Sequence, residues 1–187
     1  MLLKIVQAGD PVLRTPARPL TAQEIASAEI QQLIELMRET MRDAPGVGLA
    51  APQIGLPLQL AVIEDVAELA ATERQPVPFH VVINPQITLG DERVDFFEGC
   101  LSVDGYQAVV PRARTVQVAA RDHRGEEISI DASGWYARIL QHEIDHLRGT
   151  LYIDRMRSRT FGTSRNVARH ATGVPIPELL ARLGDKT

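Results

Sequence analysis

Apolar positions along this chain follow two rhythms. Ile30, Leu33, Ile34, Met37 and Met41 recur at three- and four-residue steps, which predicts an amphipathic helix ending near Asp43. Thr21-x-x-Glu24 ahead of them has the form of a capping box, and Pro45-Gly46 stops the helix. Apolar and alternating runs then predict strands at Leu58 to Ile63, Phe79 to Ile87, Arg93 to Phe97, Ala108 to Val110, Thr115 to Ala120 and Glu127 to Ile130. Arg124-Gly125 suits a hairpin turn between the last two. Helical spacing returns at Trp135, Ile139, Leu140, Ile144 and Leu147. It predicts a helix over about residues 134 to 148, with Ser133 at the N-cap and Gly149 just past the end.

The segments between are less patterned. Pro11, Pro16 and Pro19 make residues 10 to 20 an ordered, wrapping loop. Residues 65 to 78 read as a polar excursion, a flap being one form open to it. From Arg157 onward the chain is Arg-rich and weakly patterned. Helix, several strands, then helix predicts an α+β fold. Its antiparallel or mixed sheet would pack around the second helix in a single domain. Residues 1–161 would form the working domain and residues 162–187 a tail.

Composition removes several function classes. The chain has 187 residues, enough for one core, and a formal net charge of −4 without a long block of like charge. Nucleic acid is therefore not expected as a partner. No apolar run reaches the length of a membrane span, and the first ten residues lack the layout of a secretory signal. A single cysteine excludes an internal disulfide and suits a reducing compartment.

The second predicted helix carries His142-Glu143-Ile144-Asp145-His146. Residues four apart share a helix face, so both histidines can reach one metal ion, with Glu143 beside it to take a proton from water. A catalytic site needs a third protein ligand. In one known extension of this pattern it is a histidine six residues past the second, but Tyr152 stands there. No glutamate lies at the usual downstream distance either. Cys100, in Glu98-Gly99-Cys100-Leu101-Ser102, is the remaining strong donor; a buried structural cysteine is the alternative. Residues 46–55, Gly-Val-Gly-Leu-Ala-Ala-Pro-Gln-Ile-Gly, imitate a dinucleotide fingerprint. They follow a helix rather than a strand, and Pro52 blocks the helix that should open there. A loop passing close to a substrate and presenting Gln53 explains the small residues better than a plain connection does.

Together, residues 46–55, 98–102 and 141–146 resemble the three signature motifs of peptide deformylase. The likeness extends to Asn84-Pro85, Ser133-Gly134-Trp135 and Ser158-Arg159-Thr160-Phe161 and covers roughly residues 9 to 161, in a form most similar to the plant and animal organellar branch. The resemblance implies removal of the formyl group from the N-formylmethionine of nascent chains. It implies Cys100, His142 and His146 as ligands of one divalent metal: Fe(II) first, with nickel, cobalt or zinc as substitutes. Glu143, Gln53 and the Leu101 N–H would be the catalytic groups. Hydroxide on the metal would attack the formyl carbon, and Glu143 would carry the water proton to the leaving amine. Val47, Gly48 and Gly99 would hold the peptide as an added strand. Trp135, Arg138 and Ile139 would lie near the side-chain pocket, with ordinary core packing the alternative for Trp135 and Ile139. Glu98 would pair with Arg112 or stand solvated. Asp145 would support a ligand or, more simply, face solvent. The absence of an obvious transit peptide favours bacterial cytoplasm, a trimmed organellar form being the alternative, and a transient ribosome contact would accompany work on nascent chains. A metallopeptidase, or a relative that binds peptide without turnover, is the rival reading.

Overall fold

A computed structural model describes residues 1–66 and 74–185. Residues 67–73, the middle half of the predicted polar excursion, and with them the flap, lie outside the described residues. The predicted first helix is two helices. The capping box at Thr21 opens only α1 (Ala22–Ile25), and Ser27 caps a second start, its Oγ accepting from the Ile30 N–H at 3.3 Å. That begins α2 (Ala28–Asp43), which carries the apolar stripe.

Five strands form one antiparallel sheet: β1 (Gly48–Ala50), β2 (Leu60–Asp65), β3 (Val77–Leu89), β6 (Thr115–Arg121) and β7 (Glu127–Ser133), in that order. A second antiparallel sheet holds β4 (Arg93–Cys100), β5 (Val103–Ala113) and β8 (Gly162–Thr163). The two-residue alternation of side chains divides the first sheet between two cores. Leu60, Val62, Val81 and Ile83 pack with α2, whereas Ile63 and Val82 pack with the motif helix α3 (Gly134–Leu147). The α+β expectation holds, with two antiparallel sheets in place of one.

β7 runs straight into α3. Ser133 occupies the N-cap in extended conformation but makes no side-chain cap bond, and Gly134 takes φ +58 to turn the chain. The helix closes at Gly149, φ +72. A Cβ there would stand 2.6 Å from the Arg14 carbonyl oxygen, so the expected terminator also admits the N-terminal loop. Of 14 residues in α3, ten are buried. The helix is therefore an interior element and not a surface one.

The tail departs from expectation. Beyond η-type turns at Tyr152–Asp154 and Ser158–Thr160, it adds β8, α4 (Ser164–His170) and α5 (Ile176–Arg182). Arg157 pairs with Asp95 through two bonds at 3.0 and 2.9 Å, and Leu179 and Leu180 are buried. Among the described residues no helix is long and apolar enough to cross a membrane.

Asn84 is the one non-glycine residue with positive φ (+52) among those described, and it sits where the β3–β6 register shifts. Its side chain accepts from the Leu20 N–H at 2.8 Å and donates to the Leu20 carbonyl at 2.7 Å, fastening the chain ahead of α1 to β3. Asn84→Ala removes both bonds while keeping the strained backbone. We expect a loss of about 2–3 kcal/mol in urea unfolding, and a smaller loss for Asn84→Gly, which relieves the strain. Equal losses would refute the backbone part of this account.

Candidate metal centre

Cys100 ends β4, and His142 and His146 face it from successive turns of α3. One ligand atom from each lies within 4.8 Å of the others, and Cys100 Sγ is 3.3 Å from His146 Nε2. The His142 Nδ1–H donates to Glu98 Oε2 at 3.1 Å, which leaves Nε2 directed to the centre. Burial opposes charge on His142, but the Cys100 sulfur and the Glu98 carboxylate overcome it and hold the imidazole well above its usual pKa. Burial and the His142 charge push His146 well below. A thiolate and two imidazoles suit a divalent transition metal, and three protein donors leave a position open.

Glu98 anchors the ligand helix. Burial disfavours its charge, yet bonds from His142 and Arg112 hold its carboxyl well below the usual carboxylate range. Arg112 grips it through two bonds at 2.9 Å, and Arg138 Nη1 donates to Oε1 at 2.6 Å. The expected Glu98–Arg112 pair is present, and the solvated alternative is not. Asp145 is not solvent-facing: it is buried and accepts from Arg112 Nη1 and, at 2.7 and 2.8 Å, from Arg155. A line of alternating charge therefore runs from His142 through Glu98, Arg112 and Asp145 to Arg155. Gln141 pins α3 to β5 through both the N–H and the carbonyl of Ala113, each at 2.9 Å.

Glu143 is buried beside the centre, and its Oε2 has no hydrogen-bond partner. Burial is the main reason its carboxyl is pushed up to about 7. A Cβ on Gly48 would lie 2.3 Å from Glu143 Oε1, so only glycine lets β1 pass this close. Gln53 is fixed by its Oε1, which accepts from the Ala50 N–H at 2.8 Å. Its Nε2 points to Ser102 Oγ at 3.3 Å and Cys100 Sγ at 3.6 Å. Leu101 begins the turn from β4 to β5.

A cavity of about 510 Å³ joins these groups. Every expected site residue lines it except His146, which lies buried behind the rim. Trp135 and Ile139 line the cavity and also belong to the core cluster under α3. Tyr152 takes no ligand position. Its hydroxyl donates to the Tyr106 carbonyl at 3.2 Å, and its ring lies over His142, 6.3 Å between centroids. Ser102 escaped the sequence reading of individual roles, although its place two residues past Cys100 is the signal for it.

Residues 2–161 match the family described as polypeptide deformylase. The chain belongs to that family. It is 52% identical over 173 residues to the tomato (Solanum lycopersicum) deformylase "Peptide deformylase 1A, chloroplastic", covering 87% of this chain and 62% of that protein. The chain thus spans less than two thirds of the tomato protein's length. Peptide deformylase 1 of Streptomyces coelicolor is 49% identical over 172 residues, 89% of this chain and 78% of that protein. Among solved deformylase structures, the Met-Ala-Ser-bound class I type b enzyme of Acinetobacter baumannii superposes with a TM-score of 0.79 at 32% identity. That match covers 83% of this chain and 99% of the other.

Glu98→Ala strips Arg112 and Arg138 of their shared carboxylate and releases His142. Second-layer support of this kind is typically worth about 10–100-fold in metal affinity, and breaking a buried ion pair about 3–5 kcal/mol in stability. Competition with a coloured chelator should show the first loss and urea unfolding the second. Unchanged affinity would show that Glu98 does not orient His142.

Proposed function

We propose that this chain hydrolyses the N-formyl group of N-formylmethionyl peptides, releasing formate and a free methionine amine. The observation that carries the reading is the unpartnered, buried carboxylate oxygen of Glu143, a residue that lines a peptide-sized cavity beside a Cys–His–His cluster. Family membership supports it, as does the peptide bound by the Acinetobacter relative.

Cys100 Sγ and Nε2 of His142 and His146 would hold one divalent ion, Fe(II) in our reading, with nickel, cobalt and zinc compatible with the same donors. Such an ion, when bound, supplies the Lewis acidity that lets water lose a proton near neutral pH. Glu143 accepts that proton. Its raised pKa suits a group that must take a proton and give it up again, here to the nitrogen of the departing methionine. The formyl oxygen gains negative charge as the carbon becomes tetrahedral. Gln53 Nε2 and the Leu101 N–H stabilise it, each donor typically worth on the order of 10²–10³ in rate. The backbone at Val47, Gly48 and Gly99 aligns the peptide, and Trp135 and Ile139 wall the methionine side chain. Arg138, committed to Glu98 and to the carbonyls of Val110 and Val94, shapes the pocket through its fixed stem.

Substrates of this kind are nascent chains of bacteria and organelles, the settings of the bacterial and chloroplastic relatives. A passing encounter with the ribosome follows from that substrate.

The test is formate release from N-formyl-Met-Ala-Ser by metal-loaded protein. We expect turnover with formyl peptide and none with the N-acetyl counterpart. Glu143→Gln should lose about 10²–10⁴-fold in kcat with metal retained. Cys100→Ala should lose the metal itself. Cleavage of unformylated peptides would replace this reading with a peptidase, and near-full turnover by Glu143→Gln would remove Glu143 from its role.

A further inference from the structure

The first residues of the chain carry no pattern that hints at chemistry, yet they lie against both groups assigned to the formyl oxygen. The Val6 N–H donates to the Gln53 carbonyl at 2.9 Å, and the Ala8 N–H donates to the Ser102 carbonyl at 2.7 Å. Between them Gln7 extends its amide along the 101–104 turn. Its Nε2 donates to the Leu101 carbonyl at 2.9 Å, and its Oε1 accepts from the Asp104 N–H at 3.2 Å. From the other side the Ser102 N–H donates to Cys100 Sγ at 3.4 Å.

We infer that Gln7 is a positioning residue for the Leu101 N–H, holding from outside the turn that presents this donor to the formyl oxygen. The inference rests on the deformylase reading above, in which that N–H meets developing charge.

The Leu101–Ser102 turn joins Cys100 and Val103, which pair across β4 and β5. It lies between Gly99 and Gly105, and Gly105 adopts φ +78. An amide side chain satisfies one carbonyl and one N–H of the turn together, as a neighbouring strand would. Glutamate can accept but not donate, lysine can donate but not accept, and methionine can do neither. Gln7 is exposed, so its bonds compete with water and add little to stability. Geometry is more demanding. Donors of this kind must sit within about 0.5 Å of their working position, and a shift of about 1 Å can cost on the order of 100-fold. The same contact is therefore minor for folding and consequential for turnover.

Metal-loaded wild type, Gln7→Met and Gln7→Glu should be compared for kcat and KM on N-formyl-Met-Ala-Ser, for metal content, for thermal midpoint and for amide exchange across residues 101–104. Methionine keeps the length without either bond; glutamate keeps the acceptor and sets a charge against the Leu101 carbonyl. We expect kcat to fall about tenfold in both, with KM within about twofold. Metal content and thermal midpoint should be unchanged, and exchange at Leu101 and Asp104 should be faster. Wild-type kcat in both variants would overturn the inference. So would a kcat loss matched by metal loss or by a lowered midpoint, since Gln7 would then act through the metal site or the fold. Absence of formate release from the wild type would overturn the deformylase reading and this inference with it. Release by wild type that Gln7→Met equals would overturn the inference alone.

Discussion

One buried carboxylate organises this molecule. Glu98 accepts from His142, from both arms of the Arg112 fork and from Arg138, all in the interior. A buried charge is costly unless its partners are complete, and a half-satisfied set is worse than an apolar core. Three demands are met by the same two oxygens. The tautomer of the His142 imidazole is fixed, strand β4 is locked to β5, and α3 is seated against both. None of the three is independent of the others, which makes the site and the packing of the second sheet a single arrangement.

The geometry of the candidate site follows from where small residues allow backbone to approach. Gly48 brings β1 against Glu143 and leaves no room for even one methyl group. Glu143 is consequently walled by backbone on one side and the His142 turn on another. With its Oε2 buried and without a partner, its carboxyl is pushed up to about 7. The loop of small residues is thus a means of desolvation, and the dinucleotide fingerprint it imitates is a coincidence of composition.

Much of this was legible in the sequence, and what was not has definite causes. His142, Glu143 and His146 announce themselves because helical spacing converts directly into proximity. Cys100 and the Glu98–Arg112 pair follow from chemical need. Asp145 was misplaced because helical geometry gives its angle round the axis but not what stands there; Arg112 and Arg155 cover a face that would otherwise be wet. β5 was read at only three of its eleven residues because Asp104 to Gln107 interrupt the apolar run, although Gln107 pairs with Gly99 of β4 and with Gly162 of β8. The tail read as unpatterned because α4 and α5 have seven residues each, too short for a period to show. Gln7 carries no signal at all, since its bonds reach 94 and 97 residues along the chain.

The near-complete burial of α3 bears on how the molecule comes apart. The helix lies between two sheets, bound to one by apolar packing and to the other by Gln141 and the Glu98 cluster. A segment with a free face can fray or swing out while the remainder stays folded. This one has no such exit, because moving it exposes both layers together. The two sheets are then one cooperative unit sharing a common spine, and the centre they enclose persists or dissolves with the whole.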